Sequence, residues 1–122
     1  MNGFNALSEI GYLTVRVTTA LGAIPLENAA VTVRGSESAN ENVLYSLSTN
    51  SDGQTERISL PTPPKINSET PNAQKPYATY SVDVFADGYA PLHISNVPIF
   101  SSIISIQPAI MLPLIEGETL RR

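Results

Sequence analysis

Apolar and polar side chains alternate between residues 77 and 92, and this is the clearest structural signal along the chain. Tyr80, Val82 and Val84 fall on one side of a two-residue repeat, and the residues between them fall on the other. Such a repeat is typical of a β-strand with one buried and one solvated face. The repeat ends at an Asp-Gly pair, which favours a tight turn because glycine tolerates positive φ angles. Apolar residues resume at Leu92, so the stretch predicts a central β-hairpin or β-arch.

The same alternation recurs elsewhere and gives about seven short strands, with no helical repeat long enough to matter. Glu56 and Pro108 interrupt their rows, and such residues are tolerated mainly at sheet edges or bulges. The strands over 54–60 and 103–112 are therefore predicted to lie at sheet margins. The other apolar residues predicted to point inward are Leu13, Val15, Val17, Val31, Val33, Val43, Tyr45, Leu47, Ile58, Leu60, Ile104, Ile106, Ile110 and Leu112.

This pattern predicts an all-β fold, a seven-stranded antiparallel β-sandwich, with a β-barrel as the alternative. The segment Asn50-Ser51-Asp52-Gly53 predicts a hairpin connection between the third and fourth strands.

The chain divides into three parts on the same grounds. Residues 1–10 have little periodicity and are interpreted as an arm, residues 11–114 as the β-sandwich domain, and residues 115–122 as a polar tail. Within the domain, residues 61–76 hold five prolines and have no period. A connection of this length is either a recognition segment or a stiff cover over one end of the sandwich.

Composition limits the kinds of partner. The formal net charge is −4, and Lys65 and Lys75 are the two lysines. A nucleic-acid binder needs a basic stripe, and an anionic membrane surface attracts basic segments, so neither partner is expected. We expect no signal peptide, because no basic region precedes an apolar run, and no membrane insertion, because no apolar run reaches roughly 20 residues.

Residues with catalytic or metal-binding chemistry are few. His93 is the single histidine and cysteine is absent, so zinc would lack three or four ligands. His93 is flanked by Leu92 and Ile94, which points it toward solvent rather than into a Ser-His-Asp site. Asp52 and Asp87 are better explained as turn formers than as acid–base or calcium groups. No catalytic, cofactor or metal site is therefore expected, and the chain is predicted not to be an enzyme.

Exposed apolar and aromatic residues are the remaining candidates for function. Tyr77 and Phe85 could stack on sugar rings or anchor a protein interface, although capping of the sandwich is the simpler interpretation. The interaction surface suggested by the sequence comprises Phe4, Leu7, Ile10, Pro63, Lys65, Lys75, Tyr77 and Phe85.

Several segments also match known sequence patterns. Residues 25–33 read Pro-Leu-Glu-Asn-Ala-Ala-Val-Thr-Val, residues 49–53 read Thr-Asn-Ser-Asp-Gly, and residues 80–89 read Tyr-Ser-Val-Asp-Val-Phe-Ala-Asp-Gly-Tyr. These resemble the carboxypeptidase regulatory-like domain, which implies a transthyretin-like, Ig-like sandwich. More narrowly, segments 11–17, 22–25, 60–63, 75–77 and 106–108 resemble the N-terminal domain of clostridial spore cortex-lytic enzyme precursors and related peptidoglycan-binding proteins.

The resemblance implies a non-catalytic interaction or structural module associated with the spore or cell envelope, binding a protein partner. One alternative is a self-assembling, strand-exchanging subunit of an oligomer or filament, built on the two marginal strands and the arm. A second alternative is a carbohydrate- or peptidoglycan-binding module that uses Tyr77 and Phe85.

Overall fold

Two β-sheets make up the computed structural model, which describes residues 7–69 and 75–114. No α-helix occurs within these residues, and short 3₁₀ segments lie at Ala20–Gly22, Ser38–Asn40 and Lys65–Glu69. The strands are β1 Glu9–Thr19, β2 Ile24–Pro25, β3 Ala30–Gly35, β4 Leu44–Ser48, β5 Ile58–Thr62, β6 Tyr77–Phe85, β7 Leu92–Phe100 and β8 Ile104–Ile110. The predicted all-β class is confirmed, but the described strands number eight rather than seven because the two-residue β2 adds one.

The first sheet is centred on β1. Strands β2 and β5 pair with β1 in antiparallel orientation, and β8 pairs with it in parallel orientation. The second sheet has the order β4-β3-β6-β7, with antiparallel neighbours throughout. The β-sandwich prediction is therefore confirmed, and the expectation of purely antiparallel pairing is wrong for β1 and β8.

The core lies between the sheets and is filled by the alternating rows that the sequence predicted. The side chains of β1, β3, β5 and β6 at the predicted inward positions are buried, and those at 43, 45 and 47 are half-buried against them. Tyr80 joins the layers, because its ring is fully buried and its hydroxyl donates to the Pro61 carbonyl at 2.6 Å. The largest fully buried side chains are Tyr80, Leu13, Leu60, Ile99, Met111, Val15, Val17, Val31, Val33, Val82, Val84 and Thr62.

The last strand corrects the sequence prediction. The register pairs Tyr12 with Ile104 and Thr14 with Ile106, so even-numbered residues of β8 share a face with even-numbered residues of β1. That face of β1 points away from the core, which already holds Leu13 and the other odd-numbered residues. Ile104, Ile106, Ile110 and Leu112 are consequently exposed, and the inward positions of this strand include the small Ala109 and the flexible Met111.

The turn at Asn50 is confirmed as a turn but not as a hairpin. Asn50 Oδ1 accepts hydrogen bonds from the N–H groups of Asp52 and Gln54, and Gly53 has a φ of 77°. Strand β4 before the turn belongs to the second sheet, and β5 after it belongs to the first. The turn therefore carries the chain across the sandwich.

The marginal strands and the proline-rich region agree with the sequence in part. Among residues 7–69 and 75–114, strands β5 and β8 each pair with β1 alone, so both are sheet edges there, as predicted. Strand β5 begins at Ile58, later than expected, and extends through Pro61 into the proline-rich region. Strand β1 begins at Glu9, so Ile10 belongs to a strand rather than to an arm.

Candidate interaction surface

An exposed row of large aliphatic side chains runs along β8 and the two residues after it, and it is the most unusual surface among the described residues. Ile104 is 55% exposed, Ile106 62%, Ile110 43% and Leu112 68%. These four residues are termed the aliphatic row. Single exposed hydrophobic residues are ordinary, but an aligned set on one strand is typical of a contact surface.

The main chain fixes the direction of the aliphatic row. The Tyr12 N–H donates to the Ile103 carbonyl at 3.0 Å, and the Met111 N–H donates to the Thr18 carbonyl at 2.7 Å. Odd-numbered residues of β8 thus face β1 with their main-chain groups. Shifting β8 by one residue relative to β1 would turn the aliphatic row toward the core. It would also break every main-chain hydrogen bond between the two strands in their present register.

The neighbouring charges on this face are basic. Arg16 lies on β1 opposite Pro108, and the Arg57 guanidinium lies 5.4 Å from the centre of the Tyr12 ring. No carboxylate occurs among the described residues of β1, β5 and β8 that point outward with Tyr12 and the aliphatic row. The surface is therefore apolar with a basic margin, although the chain as a whole is acidic.

A cavity continues this surface at the end of the sandwich. It has a volume of about 320 Å³ and includes Ile103, the half-exposed neighbour of the aliphatic row. Its other lining residues are Lys65, Pro76, Phe100 and Ser101. An apolar side chain of a partner could enter there while its main chain lies along the aliphatic row.

Glu9 organises the rim of this cavity. Its Oε1 accepts a hydrogen bond from the Ser101 hydroxyl at 2.6 Å and one from the Lys65 N–H at 2.8 Å. The Ser101 hydrogen bond and the Lys65 N–H together lower the pKa of Glu9 below its ordinary value. The 3₁₀ segment and the β7–β8 turn are thereby tied to the start of β1.

The Glu37 carboxylate binds Lys75 and, through Thr79, the start of β6. Its Oε2 accepts hydrogen bonds from Lys75 Nζ at 2.7 Å and from the Thr79 hydroxyl at 2.8 Å. Lys75 Nζ also lies 4.9 Å from the centre of the Tyr77 ring, which packs tilted against Phe100 at 5.3 Å. Lys75 and Tyr77 are therefore engaged within the fold, and Tyr77 is not an open stacking platform.

Replacing Glu37 with glutamine is expected to destabilise the protein and to reduce its sensitivity to acid. Partial burial would raise the pKa of Glu37, but the hydrogen bonds from Lys75 and Thr79 outweigh it and lower the pKa from 4.5. This stabilisation is present above the unfolded-state pKa and is lost as the pH falls through the lower folded-state pKa. The free energy of unfolding at neutral pH should fall by about 1–2 kcal/mol.

Thermal unfolding between neutral pH and about pH 3 measures both effects. Glu27→Gln, at an exposed position, is the matched control and should follow the wild-type curve. Equal acid sensitivity of the wild type and the Glu37 variant would contradict the role of this carboxylate.

The outer face of the second sheet carries Phe85 and the histidine. Phe85 is half-exposed beside a cavity of about 220 Å³ that also includes Thr32, Asp83 and His93. His93 Nδ1 lies 2.6 Å from Asp83 Oδ1, and both side chains are exposed. The histidine thus points to solvent, as predicted, and has a single carboxylate partner rather than a buried catalytic set.

The sequence-predicted surface residues do not form one patch. Phe4 lies outside the described residues, and Leu7 is half-buried against the core. Pro63 is buried, which corrects the expectation that it is available for contact. Ile10 is half-exposed on the outer face of β1, and Lys65 lines the end cavity. The aliphatic row was missed because alternation alone does not say which face of an edge strand is covered.

Metal-binding clusters and membrane-spanning helices are both absent from the described residues. No group of three or more His, Cys, Asp or Glu side chains is placed to hold a metal ion within residues 7–69 and 75–114. Over the same residues, no helix is long and apolar enough to cross a membrane.

Comparisons with known proteins identify the fold. No family model matches the chain, and no curated protein matches it. Among solved structures, catechol 1,2-dioxygenase from Acinetobacter sp. ADP1 matches 93% of the chain at 16% identity with a TM-score of 0.61. The Bacillus anthracis TIE protein matches 87% at 16% identity with a TM-score of 0.57. A candidate carbohydrate-binding protein from Bacteroides uniformis ATCC 8492 matches 84% at 10% identity with a TM-score of 0.51.

This chain corresponds to one part of each of these proteins. It spans 57% of the dioxygenase chain, 17% of the TIE protein and 41% of the Bacteroides protein. At such low identity the matches show a shared β-sandwich fold and carry no substrate or partner with them.

Proposed function

We propose that this chain is a non-enzymatic interaction module that binds a protein partner through the aliphatic row and the adjoining end cavity. The observation that carries the proposal is the exposure of four large aliphatic side chains, three of them on the edge strand β8 and the fourth, Leu112, just after it. Interface cores are apolar and depleted in charge, while their rims are polar. The aliphatic row, with Arg16 and Arg57 beside it, has this composition.

The charges indicate the chemistry of the partner. Because Arg16 and Arg57 lie beside the aliphatic row, while the Glu9 carboxylate lies at the rim of the end cavity, the partner presents apolar side chains with carboxylates on the part that meets the two arginines. Electrostatic complementarity of this kind raises the association rate and selects among partners. Association with the spore or cell envelope is part of the proposal and rests on the motif resemblance alone.

The binding test uses Ile106→Asp, which places a carboxylate in the centre of the aliphatic row. Immobilised wild type is expected to retain a defined protein from an envelope fraction, and Ile106→Asp should weaken that binding by at least about tenfold. Leu21→Asp is the control, because Leu21 is 91% exposed but lies outside this surface. Equal retention by Ile106→Asp, or turnover of a glycan or peptide by the wild type, would contradict the proposal.

A carbohydrate-binding module is the second candidate, favoured by the half-exposed Phe85 and the adjoining cavity, whose mainly apolar lining also includes the polar side chains of Asp83 and His93. Tyr77 and Phe85 stand at opposite ends of β6, roughly 26 Å apart at strand spacing, so they do not form one platform. Cosedimentation with insoluble peptidoglycan tests this candidate. Binding that is lost in Phe85→Ala supports it, and failure of the wild type to sediment removes it.

A further inference from the structure

The two sheets end in four principal edge strands, β5 and β8 in the first sheet and β4 and β7 in the second. An edge strand presents main-chain N–H and C=O groups that can pair with an added strand. Proline blocks such pairing when its missing N–H would face the open side. The hydrogen bonds within each sheet show which residues face the open side.

Proline stands at the open side of β8. The hydrogen bonds described above turn the odd-numbered residues of β8 toward β1, so the even-numbered residues face outward. Pro108 is one of these outward residues and removes a donor from the middle of the strand. The edge of β8 is therefore protected against strand addition, even though its aliphatic row is exposed.

Strand β5 follows the same rule. The Val17 N–H donates to the Gly53 carbonyl, and the Thr55 N–H donates to the Val15 carbonyl, so odd-numbered residues of β1 face the β5 side. Leu60, opposite Gly11, thus faces β1, and the next residue, Pro61, faces the open side.

Strand β7 is protected in the same way. The Ser36 N–H donates to the Thr79 carbonyl at 3.3 Å, so Thr79 turns toward β3. Its opposite residue on β7 is Pro98, which accordingly faces the open side.

Strand β4 is the exception. The Gly35 N–H donates to the Val43 carbonyl at 3.1 Å, so odd-numbered residues of this strand face β3. Leu44, Ser46 and Ser48 therefore direct their N–H and C=O groups outward, and no proline interrupts them. Within the described residues, β4 pairs with β3 alone.

We propose that β4 pairs with β4 of a second copy of this chain, in antiparallel orientation about a two-fold axis at Ser46. In this register Leu44 lies opposite Ser48 of the partner subunit, and Ser46 lies opposite its own equivalent. Each directly opposed pair exchanges two main-chain hydrogen bonds, which gives about six. The result is one continuous sheet through two copies, in which self-assembly uses β4 rather than the marginal strands β5 and β8.

The side chains of β4 suit this pairing. The strand carries no charged residue, so no like charges meet within the ladder, and serines lie at its centre. The Tyr45 hydroxyl donates a hydrogen bond to the Ser59 carbonyl at 2.8 Å. This carbonyl lies on the open side of β5, so the contact gives it a hydrogen-bond partner. A groove of about 420 Å³ beside β4 gives room to the inward side chains of an added strand, and its lining residues are Ser46, Leu47, Ser48, Asn50, Gln54 and Glu56.

Light scattering tests the dimer by measuring its molar mass. The mass of the wild type should rise toward twice the chain mass as the protein concentration increases from about 10 μM to 1 mM, because small interfaces have dissociation constants in this range. Ser46→Pro removes an outward N–H and leaves the ladder to β3 intact, so it should remain monomeric at the highest concentration. Ser59→Pro, at the open side of the already protected β5, is the matched control and should dimerise. A wild type that stays monomeric at about 1 mM overturns the proposal.

Amide hydrogen exchange of the wild type gives a second measurement that does not depend on the folding of a variant. The Leu44, Ser46 and Ser48 amides should exchange at least about tenfold more slowly at high than at low protein concentration. The outward amides of Ile106 and Ser59 should not change. Concentration-independent exchange at β4, or protection that appears at Ile106 instead, overturns the pairing.

The dimer and the proposed function fail independently. Ile106→Asp alters the aliphatic row and leaves β4 untouched, so it should dimerise as the wild type does. Ser46→Pro should in turn retain the partner that the wild type binds. Loss of dimerisation in Ile106→Asp would assign self-association to β8 and overturn the assignment to β4.

Discussion

Replacing Tyr80 with alanine should lower the free energy of unfolding by about 3–5 kcal/mol, which is a large part of the 5–15 kcal/mol typical of a domain. The ring is fully buried between the sheets, and its neighbours Val82 and Val84 are held by strand pairing on both sides of β6. Because these paired strands cannot move easily, they would fill little of the cavity that the missing ring leaves, and the cost in stability is high. Chemical denaturation followed by circular dichroism measures the loss.

Tyr80→Phe separates packing from hydrogen bonding. It keeps the ring but leaves the Pro61 carbonyl without the donor that now lies 2.6 Å away, so the loss should be about 1–2 kcal/mol. A phenylalanine variant as unstable as the alanine variant would show that the hydrogen bond, rather than the ring, joins the layers.

The ionisation of Tyr80 offers a check on the wild type itself. Burial raises the pKa of Tyr80 to about 12 from an ordinary value of 10.0. The neutral hydroxyl is favoured in the folded state, so its contribution to stability is complete below the unfolded-state pKa and is lost as the pH rises toward the folded-state value. Ultraviolet titration of the wild type should therefore show a tyrosine that ionises with a pKa of about 12, and this signal should be lost in Tyr80→Phe.

The core strands were predictable because the alternation of apolar and polar residues indicates which face of each strand is buried and which is solvated. Leu13 and Val15 on β1, and Val82 and Val84 on β6, alternate with polar residues, and each pair is buried as expected. Central strands have neighbours on both sides, so a shift of register would expose the whole apolar row. The sequence pattern and the packing agree there.

The edge strand β8 was not predictable from alternation. Ile104 and Ile106 form a regular apolar row, and the simple interpretation places such a row inside. The core is already lined by the other strands, and in the parallel ladder to β1 the buried residue opposite Val17 is the small Ala109. The row is exposed because the register with β1 places its residues on the outer face of the sheet. The sequence signal of Pro108 predicted the edge position of the strand but not the face that its side chains occupy.

Polar contacts between residues far apart in the chain could not be predicted from the sequence either. The turn at Asn50 was predictable because the segment Asn50-Ser51-Asp52-Gly53 holds turn-forming residue types side by side, which is a local property. Glu37, by contrast, acts on Lys75 and Thr79, about forty residues away along the chain. No periodicity records such a pairing, and the folded sheet order alone brings these residues together.

Gly11→Ala should have an effect as large as that of the Tyr80 variant, although it adds a single methyl group. A Cβ at Gly11 would collide with the Phe100 carbonyl and with Ile99 Cγ2, where the end of β7 crosses over β1. The neighbouring Ser102 N–H donates to the Ile10 carbonyl at 2.8 Å, so the main chain of this corner is fixed on both sides. Overpacking against main-chain atoms should cost about 3 kcal/mol or more.

Gly22→Ala separates this collision from the general cost of replacing glycine. A Cβ at Gly22 would meet nothing within 4 Å, but the φ of 95° is unfavourable for alanine, so its loss should be about 1 kcal/mol. Urea denaturation of both variants measures the difference, since two-state unfolding of a small domain gives comparable free energies. If both variants lose the same free energy of unfolding, the close approach of Phe100 to Gly11 is not the reason that glycine is needed there. The alanine Cβ would then be accommodated by a movement of Phe100 away from β1.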